Sequence, residues 1–106
     1  MTEQTYLVLL SLAEHPRHGY GIVQAVTGLS DGAVRLGAGT LYGLLDRLAA
    51  AGLVEAAGEE VVDGRLRRYY RITESGSVAA TAETARVAAL ARRATVVLGR
   101  PALGSI

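Results

Sequence analysis

Apolar residues recur at helical spacing through the first half of the chain and predict three helices. Residues 6–13 are apolar on nearly every side, and residues 18–28 carry apolar side chains three or four positions apart. Four leucines form a single stripe over residues 40–51, and Gly52 ends this third helix. A helix that is apolar all round needs cover on more than one side. We therefore expect the first helix to contact a second subunit as well as its own domain.

A β-hairpin is predicted over residues 53–73, directly after the third helix. Asp63-Gly64 is the strongest two-residue turn signal in the chain and predicts a type I′ turn. The pairs counted outward from this turn are Val62 with Arg65, Val61 with Leu66, Glu60 with Arg67, and Glu59 with Arg68.

The pairing of the hairpin needs a correction further from the turn. Continuing the count would set Glu55 opposite Ile72, a charged side chain against an apolar one. One extra residue near Gly58 shifts the register and removes this mismatch, so we expect a β-bulge around Gly58. The corrected pairs are Val54 with Ile72 and Ala56 with Tyr70.

Two further elements complete a winged helix-turn-helix pattern. Residues 74–98 are rich in alanine and predict a long final helix with Thr73 as its N-cap, while residues 34–36 predict a short strand. The order helix, helix, strand, helix, two-stranded ribbon, helix indicates an α+β fold that is mainly α. In such a module the third helix enters the major groove of DNA, and the ribbon forms the wing. Residues 100–106 are expected to be a flexible tail.

The composition bounds the class of protein. The chain has 106 residues, of which 50% are hydrophobic, and this suits one globular domain. There is no cysteine, which excludes disulfides and thiolate metal sites and favours a reducing compartment. No run approaches the ~18 apolar residues of a membrane span. We therefore expect a soluble cytoplasmic protein with no membrane partner.

The charge is small overall but is distributed unevenly. The net charge is +1, yet residues 1–60 carry three arginines against seven acids, while residues 61–106 carry eight arginines against three acids. Every basic residue is arginine, which is a better donor to phosphates and base edges than lysine. An acidic half joined to a basic half indicates an interaction surface in the second half.

Catalytic and metal-binding patterns are missing from the sequence. His15 and His18 have no Cys or carboxylate cluster at metal spacing, and we expect His18 to cap or anchor the second helix instead. No serine lies in a Gly-x-Ser-x-Gly elbow, and the glycines form no phosphate-binding loop. We therefore predict no catalytic residues, no metal, no cofactor and no enzyme activity.

Three sequence blocks together carry a resemblance to a known family. They are His18-Gly19-Tyr20-Gly21-Ile22; Gly39-Thr40-Leu41-Tyr42 with Leu45, Arg47-Leu48 and Gly52-Leu53-Val54; and Arg68-Tyr69-Tyr70-Arg71-Ile72-Thr73-Glu74 with Gly76. In this order and spacing, over roughly residues 5–76, the chain resembles the PadR family of transcriptional regulators. The single C-terminal helix resembles the short subfamily.

The resemblance implies a domain organisation and a set of partners. Residues 1–76 are expected to form the DNA-binding domain, with a first helix shared with the dimer interface, and residues 77–99 a dimerisation helix. The interface residues that we assign to a homodimer are Tyr6, Leu9, Leu10, Val87, Leu90, Ala94 and Val97. Some members of the family bind phenolic or drug-like compounds between the subunits and then release DNA, which suggests a small hydrophobic effector.

The candidate DNA contacts lie on the third helix and on the wing. They are Gly39, Thr40, Tyr42, Gly43, Arg47, Arg35, Arg65, Arg67 and Arg68. For Arg68 and Arg71, phosphate contact and internal pairing are two open interpretations. Gly39 and Gly43 would let the backbone approach DNA closely, and the arginines would neutralise phosphates. The alternatives are a tyrosine packed on the wing, a local hydrogen bond for Thr40, solvated charges, and wing arginines paired with Glu59 and Glu60.

Three features depart from the family pattern. Gly37-Ala38 replaces the Ser-Pro that many members carry before the recognition helix. Asp46 places a carboxylate on the predicted DNA face, where phosphates would repel it. The last helix has no tryptophan, so an aromatic clamp on a flat drug is not supported.

The function predicted from these observations is that of a sequence-specific DNA-binding regulator, and a repressor more than an activator. Its target would be double-stranded DNA with a pseudo-palindromic operator. The alternative is a winged-helix module that binds proteins, which the low net charge, Asp46 and the acidic pair Glu59 and Glu60 favour. For the alanines of the last helix, a ligand cavity and tight helix contact remain two open interpretations.

Overall fold

The computed structural model describes residues 1–100, and all but Arg100 of the predicted tail at residues 100–106 lies outside the described residues. The helices and strands are α1 (Glu3–Ala13), β1 (Arg17–His18), α2 (Gly19–Leu29), α3 (Ala38–Ala50), β2 (Val54–Val62), β3 (Arg65–Ile72) and α4 (Glu74–Gly99). The strands form one antiparallel sheet in the order β1-β3-β2. The chain is therefore an α+β protein, mainly helical, with the predicted winged helix-turn-helix arrangement. Within residues 1–100, no helix is both long and apolar enough to cross a lipid bilayer.

The core lies where α1, α2 and α3 meet the base of the hairpin. α1 contributes most of its apolar residues, and α3 buries its whole leucine stripe. The fully buried large side chains are Leu9, Leu12, Ile22, Leu41, Leu45, Val8, Val26 and Val54. Leu9 is 0% exposed, so its surface is already covered by its own chain and cannot meet a second subunit. Its assignment to a dimer interface is corrected here.

The predicted helix ends are confirmed at α2 and α3. The Nδ1 atom of His18 accepts a hydrogen bond from the backbone N–H of Gly21 at 3.2 Å, so the histidine caps α2. Gly52 follows α3 with φ +75°, and its N–H bonds to the carbonyl of Ala49 while Leu53 bonds back to Leu48. These two bonds form a Schellman motif, which satisfies the last carbonyls of the helix.

The predicted hairpin register is confirmed along its whole length. Val62 pairs with Arg65 beside the turn and Val54 pairs with Ile72 at the base, with a shift between Ala56 and Glu59. The positive φ angles of Asp63 and Gly64, +51° and +75°, are those of a type I′ turn. Gly58, in the bulge, has φ +105°, a conformation that favours glycine.

The short strand predicted at residues 34–36 is wrong. The backbone N–H and carbonyl of Val34 both bond to the hydroxyl of Ser30, at 2.9 Å and 3.3 Å, and Leu36 turns into the core. The third strand is instead Arg17–His18, which pairs with Tyr70 and Tyr69 on the free edge of β3. The Ser30 side chain thus occupies the backbone groups that a strand would have used.

α4 packs on the domain only over its first half. Thr73 caps it by accepting from the N–H of Gly76 at 3.0 Å, and Tyr6 on α1 lies 2.6 Å from the hydroxyl of Thr84. Residues 90–99 are all exposed, because no other part of the described chain covers them. The described molecule is 67 Å long and only 26 Å wide. The second half of the helix therefore projects from the domain.

Candidate nucleic-acid interface

One side of α3 is buried and the opposite side is open. Leu41, Leu44, Leu45 and Leu48 are at most 5% exposed. On the other side Gly39, Thr40, Tyr42, Asp46 and Arg47 are exposed, and Gly43 is half-buried. The 3.6-residue period of the helix separates the two sets. The structure thus places the candidate contact residues of α3 on one accessible surface.

Tyr42 packs over the beginning of α2 and also lines the groove that faces the wing. A Cβ atom added at Gly19 would lie 2.6 Å from the hydroxyl oxygen of Tyr42, so glycine leaves the space that this hydroxyl needs. The tyrosine side chain is still 48% exposed. Its ring is therefore held in place by α2, and part of it remains open to a partner.

A groove of about 370 Å³ separates α3 and α2 from the wing. Its walls are formed by His18, Gly19, Tyr20 and Tyr42 on one side and by Arg65, Leu66, Arg67 and Arg68 on the other. Tyr20 and Leu66 were not predicted to belong to this site, and they are 68% and 55% exposed. The available signal for Tyr20 was its place in the block at residues 18–22. Leu66 had no signal, because an apolar residue in a strand is ordinarily read as core.

The wing arginines fall into two classes. Arg68 pairs with Glu59 at 3.4 Å, and Arg71 pairs with Glu55 at 2.7 Å. Within residues 1–100, no carboxylate lies within 4.0 Å of Arg65 or Arg67. Within the described residues, internal pairing with a carboxylate therefore holds for Arg68 and Arg71 and not for Arg65 and Arg67.

Glu60 pairs with a tyrosine instead of an arginine. The hydroxyl of Tyr69 donates to Glu60 Oε1 at 2.9 Å, and this hydrogen bond raises the pKa of Tyr69, against the lowering effect of Arg67. The ring of His18 meets Tyr69 edge-on at a centroid distance of 5.5 Å. These contacts join the cap of α2 to the hairpin.

Tyr70, on β3, lies near the exposed side of α3. Burial raises the pKa of Tyr70, and the nearby Tyr42 and Asp46 raise it further, whereas Arg68 lowers it. Tyr42 and the wing residues 65–68 line one groove, so the middle of α3 lies next to the hairpin. A partner that contacts α3 would therefore also meet the hairpin.

The beginning of α3 has no side-chain cap. Gly37 is the N-cap residue and provides no side-chain hydrogen bond, which agrees with the plain start expected from the missing Ser-Pro. Among residues 1–100, the hydroxyl of Thr40 has no hydrogen-bond partner, so a local bond does not occupy it. The free N–H groups and the positive end of the helix dipole suit an anion such as phosphate. Arg35 is exposed two residues before the N-cap, and Arg47 is exposed in the last turn of α3.

Two glycines of α3 have no function in the packing of the chain itself. A Cβ at Gly39 would meet nothing within 4 Å, and one at Gly43 would meet only the end of Arg47, at an ordinary 3.7 Å. Neither glycine has a positive φ angle. A glycine inside a helix costs about 0.5–1 kcal/mol relative to alanine. Contacts within the described chain therefore do not require glycine at either position.

Residues 1–100 hold no group of three or more His, Asp or Glu side chains that could bind a metal ion. The charged and aromatic residues of the groove are instead those typical of contacts to phosphates and bases. The groove thus presents cationic and aromatic side chains to the solvent.

Comparison with known sequences identifies the family to which this chain is similar. Residues 8–82 match the family described as "Transcriptional regulator PadR-like family". The chain is 40% identical over 97 residues to the transcriptional regulator Rv3488 of Mycobacterium tuberculosis, covering 92% of this chain and 79% of that protein. It is 34% identical over 70 residues to an uncharacterized protein of Lysinibacillus sphaericus, covering 66% of this chain and 64% of that protein's length.

Solved structures share the fold. A PadR family transcription regulator from Clostridium difficile superposes with a TM-score of 0.77 at 19% identity, covering 92% of this chain and 99% of that one. Bacillus subtilis PadR, in complex with operator DNA, superposes with a TM-score of 0.66 at 17% identity, covering 76% of this chain and 45% of that one. At these identities the two structures establish the fold alone.

Proposed function

Because the chain belongs to the PadR-like family of transcriptional regulators, we propose that it represses transcription by binding a promoter operator as a two-fold homodimer. As a member of this family the chain is a regulator and not an enzyme. The observation that carries the proposal is the open face of α3 beside two unpaired wing cations, Arg65 and Arg67. A regulator of this kind works where promoter DNA is, so we place it in the cytoplasm.

In this proposal α3 enters the major groove and the wing follows the adjacent backbone. Tyr42, Thr40, Gly39, Gly43 and Arg47 meet the major groove and its phosphates. Arg35, Arg65 and Arg67 neutralise further phosphates, with Arg68 contributing less because Glu59 already pairs with it. Bacillus subtilis PadR, which has the same fold, is in complex with operator DNA, and this supports DNA as the partner.

The dimer is supported by one continuous face of α4. Its positions alternate by four and three residues, the spacing of a helix seam: Gly76, Ala80, Glu83, Val87, Leu90, Ala94 and Val97. The first three are buried by the chain itself, whereas Val87, Leu90 and Val97 are 40%, 51% and 60% exposed. A second copy that covers the exposed part also reaches the half-buried Tyr6 and Leu10 on α1. Residues 1–76 then form the DNA-binding unit and residues 77–99 the dimerisation helix.

Replacing Leu90 with glutamate should dissociate the dimer. The substitution keeps a good helix former but places two charges in the interface, where each buried leucine contributes about 1.5–3 kcal/mol. We expect the dimer dissociation constant to rise at least about a hundredfold, measured by analytical ultracentrifugation. Val78→Glu is the matched control, because Val78 is 65% exposed on the side of α4 away from the seam. Equal dissociation of both variants, or of neither, would contradict the proposed interface.

A small hydrophobic or phenolic effector that releases DNA is the further part of this proposal. A groove of about 310 Å³ lies between α1 and α4, lined by Tyr6, Leu7, Val87 and the ion pair of Glu83 with Arg86. Arg86 lowers the pKa of Glu83, chiefly through their hydrogen bond, so this carboxylate stays charged at neutral pH. The groove opens along the proposed dimer seam, where an effector would alter the spacing of the two recognition helices.

The proposed function is tested by binding to the DNA upstream of the protein's own gene at several salt concentrations. If the dimer neutralises about six phosphates, log K should fall with log salt at a slope of roughly −5. Gel shifts on this DNA and on an unrelated duplex measure both the slope and the selectivity. A flat salt response with no selective shift would instead favour a winged-helix module that binds a protein.

A further inference from the structure

Asp46 is an unexpected residue for a surface that binds a polyanion. It is exposed in the middle of the open face of α3. Within residues 1–100, no cationic nitrogen lies within 4.0 Å of its carboxylate. A carboxylate that faces DNA without a cation is repelled by the phosphates. A specific hydrogen-bond donor on the DNA would compensate for this repulsion.

Among the base edges in the major groove, one base offers such a donor without an acceptor beside it. Cytosine presents its 4-amino group, whereas guanine presents two acceptors and thymine presents an acceptor and a methyl group. Adenine has an amino group too, but the acceptor N7 beside it repels a carboxylate. Acidic side chains therefore match cytosine among the four bases.

A short aspartate reaches a base only when the helix lies deep in the groove. Gly39 and Gly43 precede Asp46 by seven and three residues, so they share its face of α3. Neither glycine is required by contacts within the protomer, since a Cβ at either position would meet open space or the flexible end of Arg47. Their bare backbone is the feature that permits a close approach to base edges.

We propose that Asp46 is a specificity-determining residue that selects a cytosine in each half-site of the operator. This inference rests on the proposed function, because it assumes that α3 occupies the major groove. Arg47 and Tyr42, which are longer, flank the carboxylate and reach outward to phosphates. Affinity is thus supplied by the cations and the tyrosine, while base choice at this position is supplied by Asp46.

The test is selection from a randomised duplex library by the full chain and its Asp46→Asn and Asp46→Ala variants. The wild type should enrich a cytosine at one position of each half-site, with a preference of about tenfold over other bases. Asp46→Asn should enrich adenine there, because an amide matches its paired donor and acceptor, and Asp46→Ala should show no preference. The remaining positions should not change. An unchanged motif with all three proteins would overturn the proposal.

The matched control removes a carboxylate from a different part of the same surface. Asp63→Asn changes the tip of the wing, and asparagine tolerates the positive φ angle of +51° found there. This variant should bind all duplexes more tightly without a change in motif. If Asp46→Asn does only the same, Asp46 is a repulsive charge and the inference fails. If the wild type selects no motif at all, the proposed function fails with it.

Two further measurements address the amino group and the close approach. A duplex with pyrimidin-2-one in place of the selected cytosine lacks the 4-amino group, and it should bind the wild type about tenfold more weakly but Asp46→Ala equally well. Gly43→Ala should melt at the same or a higher temperature than the wild type, yet lose the cytosine preference. Equal loss on the analogue for both proteins, or an unchanged cytosine preference in Gly43→Ala, would overturn the proposal.

Discussion

Replacing Arg65 and Arg67 together with glutamine should weaken DNA binding by on the order of a thousandfold at about 0.1 M salt. Neither arginine has a carboxylate within 4.0 Å among residues 1–100, so both charges are available to phosphates. A dimer loses four such contacts, and each neutralised phosphate contributes about 0.9 to the slope of log K against log salt. The slope should therefore change from roughly −5 to roughly −1.5, as measured by salt titration of fluorescence anisotropy.

The control for this result is the double variant Arg68→Gln with Arg71→Gln. These arginines already pair across the strands with Glu59 and Glu55, and such exposed pairs stabilise the hairpin by only about 0.2–1 kcal/mol each. The formal charge removed is the same, but these arginines already neutralise a carboxylate instead of a phosphate, so the salt slope should change less, and stability should fall by no more than the two pairs contribute. Equal slopes for the two double variants would mean that net charge, and not the position of the free cations, determines binding.

Replacing Gly76 with alanine should unfold the start of α4 or destabilise the whole domain by about 3 kcal/mol or more. The added Cβ would overlap the carbonyl oxygen of Leu53 and lie 2.8 Å from Cγ1 of Ile72. Relief by a small shift is blocked, because Thr73 donates its N–H to that same carbonyl at 3.1 Å and caps the N–H of Gly76. We expect the melting temperature to fall by more than about 10 °C.

Gly28→Ala is the control for the effect of glycine itself. Gly28 also lies in a helix, but a Cβ there would meet nothing within 4 Å. Alanine should therefore leave stability unchanged or raise it by about 0.4–1 kcal/mol. Both variants are compared by thermal denaturation at one protein concentration, since the stability of a dimer depends on concentration. A melting temperature for Gly76→Ala close to that of the wild type would show that α4 can move away from Leu53 at little cost.

Most elements and the hairpin register were predictable because their causes are local. The leucine spacing of α3, the Asp63-Gly64 turn and the mismatch at Glu55 each involve neighbouring residues or a simple count along two strands, and the structure confirms all three. The candidate site was predictable to the same extent. The exposed face of α3 follows from the helical period once its leucines are known to be buried.

The parts that were missed depend on contacts between distant residues. The third strand lies at Arg17 because its backbone pairs with the edge of β3. The backbone of Val34 is instead hydrogen-bonded to the side chain of Ser30, so residues 34–36 form no strand. Leu9 was assigned to a dimer interface because an all-apolar helix does not show which of its sides faces its own domain. Tyr20 and Leu66 joined the groove only when α2 and the wing were brought together.

The sequence by itself determined the four helices and the hairpin, the capping residues His18 and Thr73, the turn, the bulge and the class of protein, since periodicity and turn chemistry act over a few residues. The tertiary structure alone decided which wing arginines remain unpaired, how Tyr42 rests on Gly19, and why Gly76 has no room for a side chain. These features are set by side-chain and backbone atoms that approach within a few ångströms from separate elements. Their distances exist only after the core has oriented those elements.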